Sequence, residues 1–298
     1  KTEINKSMQD VFKIFSEFWK ENNFDFVYVL GDRYEMYMAV LSGLVYNVKY
    51  GHISGGEETF GAIDNVFRHS ISIQSKLNFC STEIYKNRLT EILGTNEYIF
   101  NSGALSIDSL FQTKILNKSE LNQLTGFDFT EKTILCTFHP ETYNNRNEFY
   151  INEICNAFKH LNEYQILFTM PNADPGSDVI RNVIYKFSKE NKKRIKCFEN
   201  LGNKAYLSAM KYCSMMVGNT SSGFVEASFF SKKVINLGDR QEGRIITKNI
   251  INCQINSAQI IKKVNSKIAD LKILKSIYGN GNASSLIINK TLKYLKNT

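Results

Sequence analysis

No two of the six cysteines are spaced as a Cys-x-x-Cys pair; Cys80, Cys136, Cys155, Cys197, Cys213 and Cys253 are scattered singly. Most lie in apolar runs such as LNFC and TILCTF, so they read as reduced, buried small hydrophobes of a cytoplasmic protein. No apolar run approaches the roughly 18 residues that a membrane span needs, and no signal-peptide pattern opens the sequence. No membrane partner is therefore expected. No HExxH or paired-His spacing occurs, which argues against a metal site. The net charge is +8, yet no basic helix face or long basic run carries it; the lysines are dispersed, with short clusters at Lys192–Arg194 and Lys262–Lys263. The aromatics fall in strand and helix patterns, not within a basic patch, so nucleic acid is not an expected partner either. Internal repeats and low-complexity segments are missing as well.

What is present is a globular composition, 43% hydrophobic and 22% charged over 298 residues, enough for one large domain or two ordinary ones. Short β-rich apolar runs alternate with longer amphipathic segments. Strands are expected at 24–31, 48–54, 77–82, 97–103, 133–139, 164–170, 195–200, 214–219 and 233–238. Helices are expected between them, at 34–44, 66–74, 146–160, 177–190 and 203–212, and again over 260–297. Such alternation implies α/β architecture with parallel sheets covered on both faces. The polar segment 117–132 lacks strand character and is placed near a domain boundary. That divides the chain into 1–120 and 121–275, with 276–298 as a C-terminal helix packing back toward the first domain. The first domain is short by at least one supersecondary unit for a doubly wound half.

In open α/β sheets, ligands bind beyond the carboxyl ends of the strands. In this sequence those positions hold GDR, SGGEE, HPET, PNAD, GNTSSG and GDRQEGR. In VGNTSSGFVEASFF, Asn219, Ser221, Ser222 and Gly223 form a small polar loop before a helix; backbone N–H groups, the helix dipole and hydroxyls make it a candidate anion site. Glu226, one turn on, suits two vicinal hydroxyls such as those of a ribose, although a capped helix with a solvated Glu fits too. Asp32 fits either an N-cap or a general base or acid. His139, fixed before Pro140, suits a phosphate contact or a proton shuttle. The stretch HISGGEETFGAIDNVFRH (52–69) is too polar for a core and too rich in glycine for a helix. It reads as an active-site loop, with Gly55 and Gly56 admitting a sugar close to the backbone, Glu57 and Asp64 as proton-transfer acids, and Arg68 and His69 as their orienting or substrate-binding partners.

Together, GDRYEM, HISGGEETFGAIDNVFRHSIS, TFHPET, TMPNAD, GNTSSGFVEA and INLGDRQEGR resemble the hydrolysing UDP-N-acetylglucosamine 2-epimerases, in particular the sialic-acid (NeuC-like) branch. The motifs run in the family's order from Gly31 to Arg244. The resemblance implies a GT-B-like fold, two Rossmann-like doubly wound parallel-sheet domains with the active site in the interdomain cleft. It implies conversion of UDP-GlcNAc and water to N-acetylmannosamine and UDP: C2 deprotonation, anti elimination of UDP, and hydration of a 2-acetamidoglucal. No metal or redox cofactor is implied, and a homodimer is. It assigns Asp32 to catalysis, places Glu57 and Asp64 in the second acidic segment, sets His139 by the leaving diphosphate, and gives Ser221, Ser222 and Gly223 to the diphosphate and Glu226 to the ribose. Asn172 and Asp174 resemble sugar-side residues, and Arg240 and Arg244 complete an anion pocket. Family members begin with a further strand and a GTR-type loop; with the next helix and strand these are roughly 70 residues that precede the region matched here. Two alternatives share much of the pattern. One is the branch acting on UDP- or GDP-linked N,N'-diacetylbacillosamine, and the other is a GT-B glycosyltransferase. A nucleotide-sugar-binding protein without turnover is a third.

Overall fold

In a computed structural model of the chain, residues 2–60, 64–141, 146–172, 174, 176–267 and 276–297 are described. Parts of several motifs, Gly61–Ile63, Thr142 and Ala173 among them, lie outside these residues, as does 268–275 of the stretch expected to be helical. Contacts divide the chain into two compact units, one of 1–59, 63–109 and 277–298, the other of 60–62 and 110–276.

The first unit opens with α1 (Thr2–Glu21) and continues β1 (Val27–Leu30), α2 (Tyr34–Gly43), β2 (Tyr50–Ile53), α3 (Asp64–Gln74), β3 (Leu77–Cys80), α4 (Glu83–Leu93), β4 (Ile99–Asn101) and the first five residues of α5 (Leu105–Gln112). Among the described residues its sheet is four-stranded, parallel throughout, in the order β1-β2-β3-β4. Val29 pairs with His52, and His52 with Asn78. The central strands β2 and β3 are buried at every position, including the polar side chains of His52 and Asn78, as strands covered on both faces are. Trp19, Val29, Val40, Tyr50 and Ile71 form one core cluster, and the Trp19 indole N–H donates to the Ala39 carbonyl at 2.9 Å. Each such side chain contributes roughly 1.5–3 kcal/mol by leaving water.

The second unit contains α6 (Lys118–Thr125), β5 (Thr133–Thr137), α7 (Asn147–His160), β6 (Gln165–Thr169), α8 (Ser177–Glu190), β7 (Ile195–Phe198), α9 (Gly202–Tyr212), β8 (Met215–Gly218), α10 (Glu226–Phe229), β9 (Lys233–Leu237), β10 (Ile250–Cys253) and α11 (Ser257–Asn265). Among the described residues its sheet is six-stranded and parallel, in the order β10-β9-β8-β5-β6-β7, so the winding reverses between β5 and β8. Alternate residues of β5 and β6 enter separate cores: Ile134, Cys136, Ile166 and Phe168 join one, Leu135 and Leu167 the other. The chain ends with α12 (Ala283–Asn297), which belongs to the first unit, where Asp108 accepts from the Ala283 and Ser284 amides at 2.9 and 2.7 Å.

Every expected strand is present. β10 is additional: IINC is only four residues long, interrupted by Asn252, flanked by Asn249 and Gln254 and on the sheet edge, so it carries little apolar signal. The polar segment 117–132 is not a plain linker. Asn117 and Glu120 close a reciprocal capping box at the start of α6, and Gly126 ends the helix in the left-handed region, inside the second unit.

Candidate active site

Both sheets present their charged loops at the carboxyl edge, as the alternation of strand and helix requires. In the first unit, Asp32 follows β1 after a single residue, Gly31. It does not cap α2; that position is held by Arg33, whose side chain makes no capping bond. The Asp32 carboxylate instead pairs with the guanidinium of Arg68 on α3. Arg68 is a buried cation, its side chain 3% exposed against 27% for Asp32, so the pair leaves the carboxylate as its accessible end. The other side of the guanidinium donates to the Glu57 carbonyl at 2.8 Å and to Asn65 Oδ1 at 2.7 Å. Asn65 Oδ1 also accepts from the Thr59 amide at 2.9 Å. Arg68 is thus a hub binding the turn after β1 to the loop after β2.

Glu57 is buried, and its Oε1 accepts from the Ser81 hydroxyl at 2.8 Å. Glu58, to which the sequence assigned no catalytic or binding role, pairs with Arg88 at 3.2 Å and faces His69 at 4.0 Å. Burial and the Arg68 charge push the His69 pKa down. Asp64 opens α3, one turn ahead of Arg68. The loop's glycines serve a different purpose from the sugar access expected of them. A Cβ on Gly56, where φ is +76°, would lie 2.2 Å from the Tyr85 carbonyl, and one on Gly55 would lie 3.1 Å from both Leu89 and the Ser72 hydroxyl. Their missing side chains let the loop press against α3 and α4.

In the second unit, His139 after β5 and Asn219 after β8 flank the point where the winding reverses. Asn219 is fully buried and staples the two loops: its Oδ1 accepts from the His139 amide at 2.7 Å and its Nδ2 donates to the His139 carbonyl at 2.9 Å. Gln241 adds a bond to the Asn219 carbonyl at 2.8 Å, and Glu141 Oε1 accepts from the Asp239 amide at 3.1 Å. Neither Gln241 nor Glu141 stood out in the sequence; the only signal was their place in strand-end loops. The His139 ring is buried, and desolvation, aided by the Arg240 charge, pushes its pKa down to about 4. Its Nδ1 accepts from the Asn172 amide at 3.4 Å, so the neutral ring carries its proton on Nε2. Asp174 pairs with Arg240 at 3.7 Å, which joins the loop after β6 to the loop after β9.

The serine loop departs from expectation in one respect. No long helix follows it. Ser221–Gly223 is a single 3-10 turn, and Glu226 begins a helix of one turn, α10. So short a helix carries little dipole, and the loop's anion-binding capacity rests on hydroxyls and local N–H groups. Ser221 is exposed, while the Ser222 hydroxyl lies 2.6 Å from the partly buried Tyr206 phenol and 3.2 Å from Thr220 Oγ1. Gly223 is buried where a Cβ would lie 3.0 Å from Val234. Arg244 lies in the loop after β9, and its N–H bonds to the Gln241 carbonyl at 3.2 Å. Among the described residues, no group of His, Cys, Asp and Glu is arranged to hold a metal ion.

The profile described as UDP-N-acetylglucosamine 2-epimerase matches residues 1–292. The chain belongs to the UDP-N-acetylglucosamine 2-epimerase family. A Campylobacter jejuni relative, GDP/UDP-N,N'-diacetylbacillosamine 2-epimerase (hydrolyzing), is 38% identical over 90% of this chain and 70% of its own length. The polysialic acid biosynthesis protein P7 of Escherichia coli is 32% identical over 94% of this chain and 71% of its own. Among solved structures, the Neisseria meningitidis UDP-GlcNAc 2-epimerase bound to UDP-GlcNAc aligns with a TM-score of 0.81 over 96% of this chain and 81% of that one, at 19% identity. The Staphylococcus aureus MnaA complex with UDP gives the same TM-score and identity over 98% and 82%. At that identity the likeness is one of fold, and it is the GT-B-like α/β fold with two parallel-sheet domains that the resemblance implied. No described helix of this family member is long and apolar enough to cross a membrane.

Proposed function

We propose that this protein is a hydrolysing 2-epimerase that converts UDP-GlcNAc and water to N-acetylmannosamine and UDP. The observation that carries the proposal is the shared use of one buried cation: Arg68 holds the Asp32 carboxylate and the backbone of Glu57 together at one sheet edge. The C2–H of a 2-acetamido sugar is weakly acidic, so its removal needs an aligned carboxylate acting as C1–O cleavage proceeds. Asp32 and Glu57 are the candidates, with Asp64 at the start of α3 as the further acid. The departing diphosphate needs donors. His139, neutral and protonated on Nε2, supplies one, the Ser221–Gly223 loop supplies others, and Arg240 and Arg244 supply charge. A histidine with a pKa of about 4 acts here as a donor to the diphosphate and not as a proton shuttle at neutral pH. Glu226 takes the ribose hydroxyls, and Asn172 and Asp174 face the sugar. Elimination leaves a 2-acetamidoglucal; water then adds at C1, and a proton returns to C2 on the opposite face.

A second reading has its own support: the Campylobacter jejuni relative is named for N,N'-diacetylbacillosamine. The test is to supply the full-length protein with each nucleotide sugar in D2O and follow products by NMR. Release of N-acetylmannosamine with deuterium at C2 supports the main reading. Turnover of the bacillosamine derivative alone selects the second. A transferred sugar without deuterium at C2 points to a glycosyltransferase and refutes both. Asp32→Asn is expected to retain UDP affinity and lose nearly all turnover.

A further inference from the structure

His52 lies in β2, between β1 and β3, with no exposed surface. Its Nε2 is 3.0 Å from the Gly31 carbonyl and its Nδ1 is 2.8 Å from the Ser72 hydroxyl. A carbonyl can only accept, so Nε2 carries the ring proton and Nδ1 accepts from Ser72. Burial holds the ring in this neutral form, with its pKa pushed down to about 4.

The bond to Gly31 bears directly on its neighbour Asp32. Gly31 leaves β1 with φ at +93°, and its amide reaches the Ile53 carbonyl at a long 3.4 Å. The ladder therefore holds only weakly the turn that carries Asp32. Arg68 fixes the Asp32 carboxylate from α3, and His52 fixes the backbone from which that side chain hangs. Ser72 completes the linkage on the same helix as Arg68. The Gly55 backbone closes over the pair; a Cβ there would lie 3.1 Å from Ser72 Oγ and 3.4 Å from His52 Nδ1.

We propose that His52, backed by Ser72, is a positioning residue that sets the direction of the Asp32 carboxylate through the Gly31 carbonyl. The proposal rests on the epimerase reading above. It assigns His52 no contact with substrate. Its signature is a loss in kcat without a loss of binding, since a catalytic group displaced by about 1 Å can cost on the order of a hundredfold in rate.

The variants His52→Gln, His52→Asn and Ser72→Ala of the full-length protein separate this role from simple structural support. A glutamine amide nitrogen reaches the position of Nε2 and can still donate to Gly31. An asparagine amide reaches only the position of Nδ1. Turnover is measured on whichever nucleotide sugar the wild type consumes. The expected result is kcat within about threefold of wild type for Gln, a fall of roughly 10- to 100-fold for Asn, and KM within about twofold for both. Ser72→Ala is expected to lower kcat several-fold at constant KM. Equal losses for Gln and Asn that track their melting temperatures would overturn the proposal, as would wild-type kcat for Asn. Should Asn fail to fold, unchanged kcat in Ser72→Ala overturns it. A wild type that consumes no nucleotide sugar is a different failure, that of the epimerase reading, and the positioning role falls with it.

Discussion

Replacing Arg68 with methionine tests the hub of the first unit. The methionine keeps much of the buried volume and removes every polar contact. Left behind are the buried Glu57 carbonyl, an Asn65 oxygen without its ionic partner, and the Asp32 carboxylate without its cation. Breaking a buried ion pair from one side costs about 3–5 kcal/mol, because the surviving groups stay desolvated. Asp32 is 27% exposed and recovers some hydration, which places the expected loss near the lower end, roughly 3 kcal/mol.

The sequence supplies its own reporter. Trp19 is the single tryptophan, buried in the first unit's core beside Tyr50 and bonded to Ala39. Its fluorescence therefore follows unfolding of that unit. With a urea dependence of about 1–3 kcal/mol per molar, a 3 kcal/mol loss moves the Trp19 midpoint down by at least about 1 M. Arg68→Lys keeps a charge but not the planar fork that serves three acceptors, so an intermediate shift is expected. In a double-mutant cycle with Asp32→Asn, the two losses should not add. A Trp19 midpoint moved by less than about 0.3 M would show that Arg68 does not bind the two loops together.

Three other outcomes rest on particular contacts. Gly218 ends β8 with φ at +149°, and a Cβ there would lie 2.0 Å from the Thr137 carbonyl; Gly218→Ala should cost at least about 3 kcal/mol and abolish UDP binding, and wild-type titration calorimetry would refute this. His52 and His139 are both buried and neutral, their pKa values near 4 against an unperturbed 6.5. Between those values the unfolded chain binds protons that the native protein does not, so stability present above pH 6.5 is lost as pH falls toward 4. By pH 5 the two together should have lost roughly 4 kcal/mol, and urea midpoints unchanged between pH 7.5 and 5 would contradict it. Tyr206→Phe removes the 2.6 Å contact to Ser222, and with about 1 kcal/mol at stake the UDP Kd should rise about fivefold; an unchanged Kd would mean that this hydroxyl does not order the loop for phosphate.

How much of this was legible in the sequence depended on what each feature has to be near. Parallel strands covered on both faces are mostly apolar along their length, so LNFC and TILCT announce themselves without any knowledge of their neighbours. The strand-end loops were legible for the converse reason: Asp32, Glu57, His139 and Asn219 are polar residues within four positions of the ends of such strands. Roles set by contact across the fold were not legible. Arg68 looks in sequence like a basic residue opening a helix toward an anionic substrate, and only packing shows it 2% exposed and bonded to the protein itself. Gly55 and Gly56 look like room for a ligand, whereas their space is taken by α3 and α4. His52 begins a motif in which acids attract attention, yet its ring spends both nitrogens on the protein, bonding the Gly31 carbonyl after β1 and the Ser72 hydroxyl on α3. For Arg68 and His52 the side chain was visible, but the Asp32, Glu57, Gly31 and Ser72 partners lay 11 to 36 residues away. The site's chemistry is thus written locally, in the loops, while its alignment is written in long-range contacts made by residues that do no chemistry. Substitutions at Arg68, His52 or Gly56 should accordingly damage rate or stability while every proton-transfer carboxylate remains in place.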